Sequence, residues 1–149
     1  MYKRQVQARQ VGLNLPVIGG NGMNSTKIFD LAKGASDNLY VGSPWSASNA
    51  TPENTQFIKA YTAKYNAAPD QFAAQAYDAL YIASQAIKKI TLSGDLAKDR
   101  NALQAALPDV KWTGATGDFQ FRRFNDKGYD AQQKPIVSVT KGTAFVIEK

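Results

Sequence analysis

The sequence predicts an α/β fold, and three observations predict it. The first forty residues read as helix tail, strand, helix, strand, the order of a unit built on a parallel sheet. Residues 51–65 and 69–91 carry apolar side chains at helical spacing. From Val110 onward the periodicity switches to two, the signature of strands. A length of 149 residues is that of one ordinary domain, enough to bury a real core. The hydrophobic share of 44% and charged share of 20% are those of a globular chain rather than a disordered one.

In chain order, residues 6–11 continue a helix that Gly12 can stop. Opening on the last turns of a helix carries the expectation that the chain begins inside a larger protein. Residues 15–18 form an apolar run consistent with a buried strand of a parallel sheet. Gly19-Gly20-Asn21-Gly22 follows, and then Ser25, an N-cap for a helix over 26–33 with Ile28, Phe29 and Ala32 on one face and Gly34 closing it. Residues 38–41 form a second strand. GSPWSASN, residues 42–49, is turn chemistry and reads as a linker or crossover. Thr51-Pro52-Glu53 is a strong helix start: a hydroxyl cap, proline at the first position and an acid in the first turn. Phe57, Tyr61 and Tyr65, four apart, form the stripe this helix would bury.

Asp70 can accept from the free amides that open the next helix. Its apolar positions are Phe72, Ala76, Leu80, Ala83, Ile87 and Ile90, widened by Ala73, Tyr77 and Tyr81, so this stripe is expected in the core. Asp78 reads as a solvated surface acid. Residues 92–98 form a polar loop, and Asp99 is expected to cap a short helix carrying Leu103, Ala106 and Leu107 that stops at Pro108. Beyond it Phe119, Phe121 and the Phe124 side alternate with Asp118, Gln120 and Arg122. Asn125-Asp126-Lys127-Gly128 is a turn cluster. Residues 136–139 and 144–147, with Lys141-Gly142 between them, form a terminal hairpin.

Composition narrows the chemistry. There is no cysteine and no histidine, so thiol chemistry, the commonest general base and the commonest transition-metal ligand are all missing. The acids form no paired constellation with a base, the 125–128 turn lacks the spaced acids of a calcium loop, and no serine elbow is present. The reading is therefore non-enzymatic, without cofactor or metal. The net charge of +6 is spread, with Lys3-Arg4, Lys88-Lys89 and Arg122-Arg123 the basic doublets, so no nucleic-acid footprint is expected. No apolar run reaches the ~18 residues that span a bilayer, and no apolar leader follows the basic first residues.

Candidate binding residues are few. Gly20, Asn21 and Gly22 stand between a strand and a capped helix, where ligands of parallel α/β sheets gather and where glycine admits close backbone approach. An ordinary strand-to-helix turn accounts for them equally well. The pattern is neither a dinucleotide fingerprint nor a phosphate loop. Phe72, Gln75 and Tyr77 lie in the first turns of the long helix, as core or as the wall of a site. Trp45 is either a packing anchor or a ligand stacker.

GLNLPVIGGNGMNS, NLYVGSPW, PENTQFIKAYTAKYNAAPDQFAAQAYDALYIASQAI and TGATGDFQF, in that order, resemble the carboxy-terminal part of the type I periplasmic substrate-binding proteins of ABC transporters. The likeness is to the branched-chain amino acid (leucine/isoleucine/valine) type and covers nearly the whole chain. It implies a fragment, about the last two-fifths, of a fold with two lobes, parallel sheets flanked by helices and a C-terminal β-hairpin. Residues 1–43 would end lobe 2, 44–50 would be a hinge crossing with Ser43, Pro44 and Trp45, 51–126 would end lobe 1, and 127–149 would cross back into the terminal hairpin. Phe72 falls where the family sets an aromatic against the ligand, with Gln75 and Tyr77 nearby and Gly20, Asn21 and Gly22 facing it across a cleft. Asn21 falls where an acid pairs with the ligand ammonium, and Arg122-Arg123 stand where an acidic turn is more usual. The resemblance implies capture of a small amino acid or organic acid, delivery to an ABC permease, and a periplasmic or lipid-anchored extracellular location. A ligand-sensing domain of a receptor or regulator with the same fold is the alternative.

Overall fold

The computed structural model describes residues 2–125 and 128–148. They fall into two compact units, Met1–Asn49 with Pro135–Lys149, and Ala50–Lys134.

In the first unit, helix α1 (Tyr2–Gln10) ends as its glycine predicts. Gly12 takes a φ of +83°, its amide donates to the Arg9 carbonyl at 3.0 Å, and the Leu13 amide donates to the Ala8 carbonyl at 2.9 Å. These two bonds satisfy carbonyls that a helix end otherwise leaves open. Strand β1 (Val17–Gly19) runs parallel to β2 (Leu39–Ser43), joined by α2 (Lys27–Ala32). Strand β6 (Ile136–Lys141) adds antiparallel to β2, and β7 (Ala144–Ile147) folds back on β6, giving the order β1-β2-β6-β7. Met23, Ile28, Ala32, Leu39 and Val41 form the core, with Val6, Val17, Phe29, Ala35 and Phe145 packed around it. The buried Thr140 hydroxyl accepts from the Leu39 amide at 3.0 Å and donates to the Ser36 carbonyl, tying β6 to the turn before β2.

Several expectations for this unit change. The first strand is shorter than residues 15–18 suggested and lies at the sheet edge, leaving Leu15 and Ile18 exposed. An apolar run says that a strand exists, not which of its faces finds a neighbour. Thr26, not Ser25, takes the cap position of α2, and its side chain makes no capping bond. The left-handed stop is Lys33, φ 49°, because a 3-10 turn over Lys33–Ser36 follows the helix directly. Gly42 and Ser43 are strand residues paired with Val137 and Ile136 rather than linker. Only β1 and β2 are parallel, so the sheet is mixed.

The second unit opens with α3 (Pro52–Tyr65), capped by Thr51, whose hydroxyl accepts from the Asn54 amide at 3.3 Å. Helix α4 (Gln71–Ile87) is capped by Asp70, which accepts from the Ala73 amide at 2.9 Å. Helix α5 (Leu96–Ala106) is capped by Asp95 rather than Asp99. Asp99 lies inside the first turn and reaches back to the Ser93 amide and hydroxyl and the Gly94 amide. Strands β3 (Lys111–Gly114), β4 (Gly117–Asn125) and β5 (Gly128–Gln133) form an antiparallel sheet. Ile82, Ala86 and Val110 are its core, with Leu103, Leu107, Trp112, Phe119 and Phe121 against them. Residues 128–133 pair with β4. Of the 125–128 turn cluster, Asp126 and Lys127 lie outside the described residues, as does the Phe124 side chain.

Helix α4 buries a face other than the expected one. Gln71, Ala74, Asp78, Ile82 and Ala86 are inside. Phe72, Leu80 and Ile87 are exposed, Leu80 by 70%. The helix is apolar nearly all round, so periodicity offers two stripes and cannot choose between them. The stripe of α3 is also only partly inside: Phe57 is buried, but Tyr65 is exposed.

Candidate functional site

The Gly19–Gly22 segment is shaped by Met23. A 3-10 turn over Asn21–Met23 is closed by the Met23 amide on the Gly20 carbonyl at 3.0 Å and the Asn24 amide on the Asn21 carbonyl at 2.9 Å. Met23 is buried in the core beneath. A Cβ at Gly19 would overlap the Met23 sulfur, whereas Gly20 and Gly22 have open space around them. Gly19 is thus the glycine that packing requires. Gly20, Asn21 and Gly22 are all exposed. The Asn24 amide group donates to the Trp45 carbonyl at 2.9 Å, and the Ser43 hydroxyl donates to the same oxygen at 2.8 Å. This brings the glycine turn and the Ser43-Pro44-Trp45 segment together within one unit. Trp45 is 5% exposed, which is the packing-anchor reading of that residue.

At ~100° per residue Phe72 and Gln75, three positions apart, lie within about 60° of each other, and Tyr77 is turned away from both. Phe72 is 63% exposed. Gln75 lines a cavity of about 340 Å³ with Asp78, Ile82, Thr116, Phe119 and Gln133. Tyr77 belongs to an aromatic run through Tyr65, Tyr61, Phe57, Tyr77, Tyr81 and Trp112, with successive ring centroids 4.6–5.8 Å apart. Tyr81 lies flat on Trp112, 8° from parallel. A hydrogen bond with Tyr81 is the first cause holding the Tyr77 hydroxyl above its ordinary pKa, with burial and the neighbouring charges of Tyr81 and Asp78 adding to it. Phe72 and Tyr77 therefore do not share a face.

Asp78 is the residue that sequence reasoning missed. It is 3% exposed and saturated with donors. One oxygen accepts from the Trp112 indole at 3.0 Å and the Ala115 amide at 3.0 Å. The other accepts from the Thr116 amide at 2.7 Å and its hydroxyl at 2.6 Å. Gly114 makes room for this arrangement, since a Cβ there would overlap both the carboxylate and the indole nitrogen. The available signal was Trp112-Thr-Gly-Ala-Thr-Gly117, a tight turn rich in donors and small residues. Among the described residues no group of three or more metal-ligating acids, histidines or cysteines exists. No described helix is long and apolar enough to cross a membrane.

A family model described as periplasmic binding protein matches residues 6–142. Among solved structures, the chain is similar to the branched-chain amino acid transporter substrate-binding protein LivJ of Streptococcus pneumoniae in complex with isoleucine. The identity is 27% and the TM-score 0.77, over 99% of this chain and 40% of that one. It is similar in fold to a leucine-binding protein, LivK, of Thermotoga maritima, at 21% identity and a TM-score of 0.78, over 99% and 41%. It is also similar in fold to an ABC transporter solute-binding protein of R. palustris in complex with benzoate, at 23% identity and a TM-score of 0.73, over 98% and 38%. The chain thus spans about two-fifths of the length of these structures. No curated protein sequence is matched.

Proposed function

The chain belongs to the periplasmic binding protein family, and on that premise we propose that it is part of a solute-binding component of an ABC importer, non-catalytic and located outside the cytoplasmic membrane. The full-length protein captures a small amino-acid-like or organic-acid solute and hands it to a permease. The observation that carries this reading is the match over 99% of the chain to a transporter substrate-binding protein solved with isoleucine. Gly20, Asn21 and Gly22 on one unit and Phe72, Gln75 and Tyr77 on the other are the candidate ligand residues, and Ser43, Pro44 and Trp45 the candidate hinge. The exposure of Phe72 supports its part: a large apolar ring left in water is free to meet a solute. Asn21 can accept from an ammonium but brings no charge, so an amino acid gains no ion pair from it. That favours solutes whose only charge is a carboxylate.

Isothermal titration of the full-length protein tests the reading, with leucine, isoleucine, phenylalanine, benzoate and 4-methylpentanoate as probes. At least one is expected to bind, and silence across all five would sink it. Phe72→Ala is expected to weaken that binding at least tenfold while leaving the melting temperature nearly unchanged, because the ring is mostly in water already. Unchanged affinity removes Phe72 from the site.

A further inference from the structure

Helix α4 presents two apolar stripes, and the one with the larger side chains, Phe72, Leu80 and Ile87, is outside. Within these 149 residues taken alone, burial of apolar area would favour the opposite rotation, because Phe72, Leu80 and Ile87 gain more from leaving water than Ala74 and Ala86 do. What the buried stripe has instead is Asp78. Its four donors all come from β3 and the β3–β4 turn, and all are neutral: the Trp112 indole, the Ala115 and Thr116 amides and the Thr116 hydroxyl. A carboxylate without a cation is costly to bury unless each oxygen is fully bonded. Any rotation or slip of α4 breaks these bonds while leaving the charge under the sheet. A slip of one residue turns the helix by ~100° and moves it by ~1.5 Å.

We infer that Asp78 is the positioning residue of α4: its bonds to the Trp112–Thr116 segment set the rotation of the helix and so fix where Phe72 and Gln75 face. The functional half of this inference rests on the solute-binding reading; the rotational half does not. Gly114 supports it independently, because the chain is cleared of side chain at the point where the carboxylate and indole meet.

The absence of cysteine makes the rotation measurable. Ala74→Cys places a thiol on the buried face and Ala76→Cys one on the exposed face. With Asp78 intact in the dilute chain, Ala76→Cys is expected to react with a thiol reagent far faster than Ala74→Cys. In Asp78→Asn, one amide N–H group must oppose at least one backbone or indole donor, and the ratio of the two rates is expected to fall at least tenfold. A merely structural role speeds only the buried Ala74→Cys thiol, through more frequent opening, whereas a rotated helix also slows the Ala76→Cys thiol below its rate with Asp78 intact; an Ala76→Cys thiol that is not slowed in a folded variant overturns the inference. If Asp78→Asn does not fold, Thr116→Val and Trp112→Phe, which each remove one donor, decide by the same slowing of the Ala76→Cys thiol. Thr116→Ser retains every donor and is expected to keep the original ratio; a collapsed ratio there counts against the inference. In the full-length protein, Asp78→Asn is expected to weaken binding of whichever probe binds by at least tenfold. An unchanged Kd overturns the functional half. A parent protein that binds none of the probes removes the solute-binding reading, while the labelling rates still judge the rotation.

Discussion

Gly114 and Asp78 depend on each other through sterics. The indole N–H of Trp112 reaches the Asp78 carboxylate across the bare Cα of Gly114, where any Cβ would overlap both groups. Gly114→Ala must therefore displace the carboxylate or the ring, leaving a buried charge short of donors. This belongs to the class of substitutions that cost more than about 2 kcal/mol. Urea unfolding of the variant in the full-length protein checks it, and a loss below about 0.5 kcal/mol, the range of an ordinary surface change, would show that the latch yields easily. The same pair marks a limit of reading residues along the chain. Asp78 sits among apolar neighbours and reads as a surface acid because its donors lie 34–38 positions away. Trp45 is different: its burial was one of two readings that the sequence left open, and packing chose the anchor.

Three element ends were written locally. Thr51, Asp70 and Gly12 act where their chemistry places them, because a cap bonds to amides or carbonyls only a few residues away. The start of α5 shows how such a signal misleads. Two acids four apart, Asp95 and Asp99, both bond backbone amides, and the outer one is the cap. The bonds to the Ser93 amide and hydroxyl hold the Asp99 carboxyl below its ordinary pKa. The stabilisation of the 93–99 loop is thus fully present above the unfolded value of about 3.9 and is lost as pH falls through the lower folded value. Hydrogen exchange is expected to show the Ser93 and Gly94 amides losing protection as pH drops below about 4, and Asp99→Asn is expected to abolish that dependence. Protection that persists unchanged to lower pH would contradict the assignment. Which face of α4 is buried, by contrast, could not be read from its periodicity, since both faces repeat at helical spacing.

Across the molecule, apolar side chains remain in water on both units. Ile18 is 86% exposed and Leu15 65% in one, and Leu80 70% and Phe72 63% in the other. Between α3 and α4 lies a cavity of about 440 Å³ lined by Phe57, Tyr61, Tyr65, Ala76, Tyr77 and Leu80. Contiguous apolar surface of this kind drives association. The 149-residue chain made alone is expected to self-associate as its concentration rises and to bind a hydrophobic dye. A monomer at all concentrations by light scattering, with a sharp two-state melt, would contradict this. The α/β class, the caps at Gly12, Thr51 and Asp70 and the family were legible in the residues, because each depends on local bonding or on an ordered set of short motifs. The rotation of α4, the edge position of β1, the pairing of β5 on β4 and the burial of Asp78 were settled by contacts between distant segments. A periodic pattern states how often an apolar residue recurs; which face is buried depends on the partners that folding brings to it.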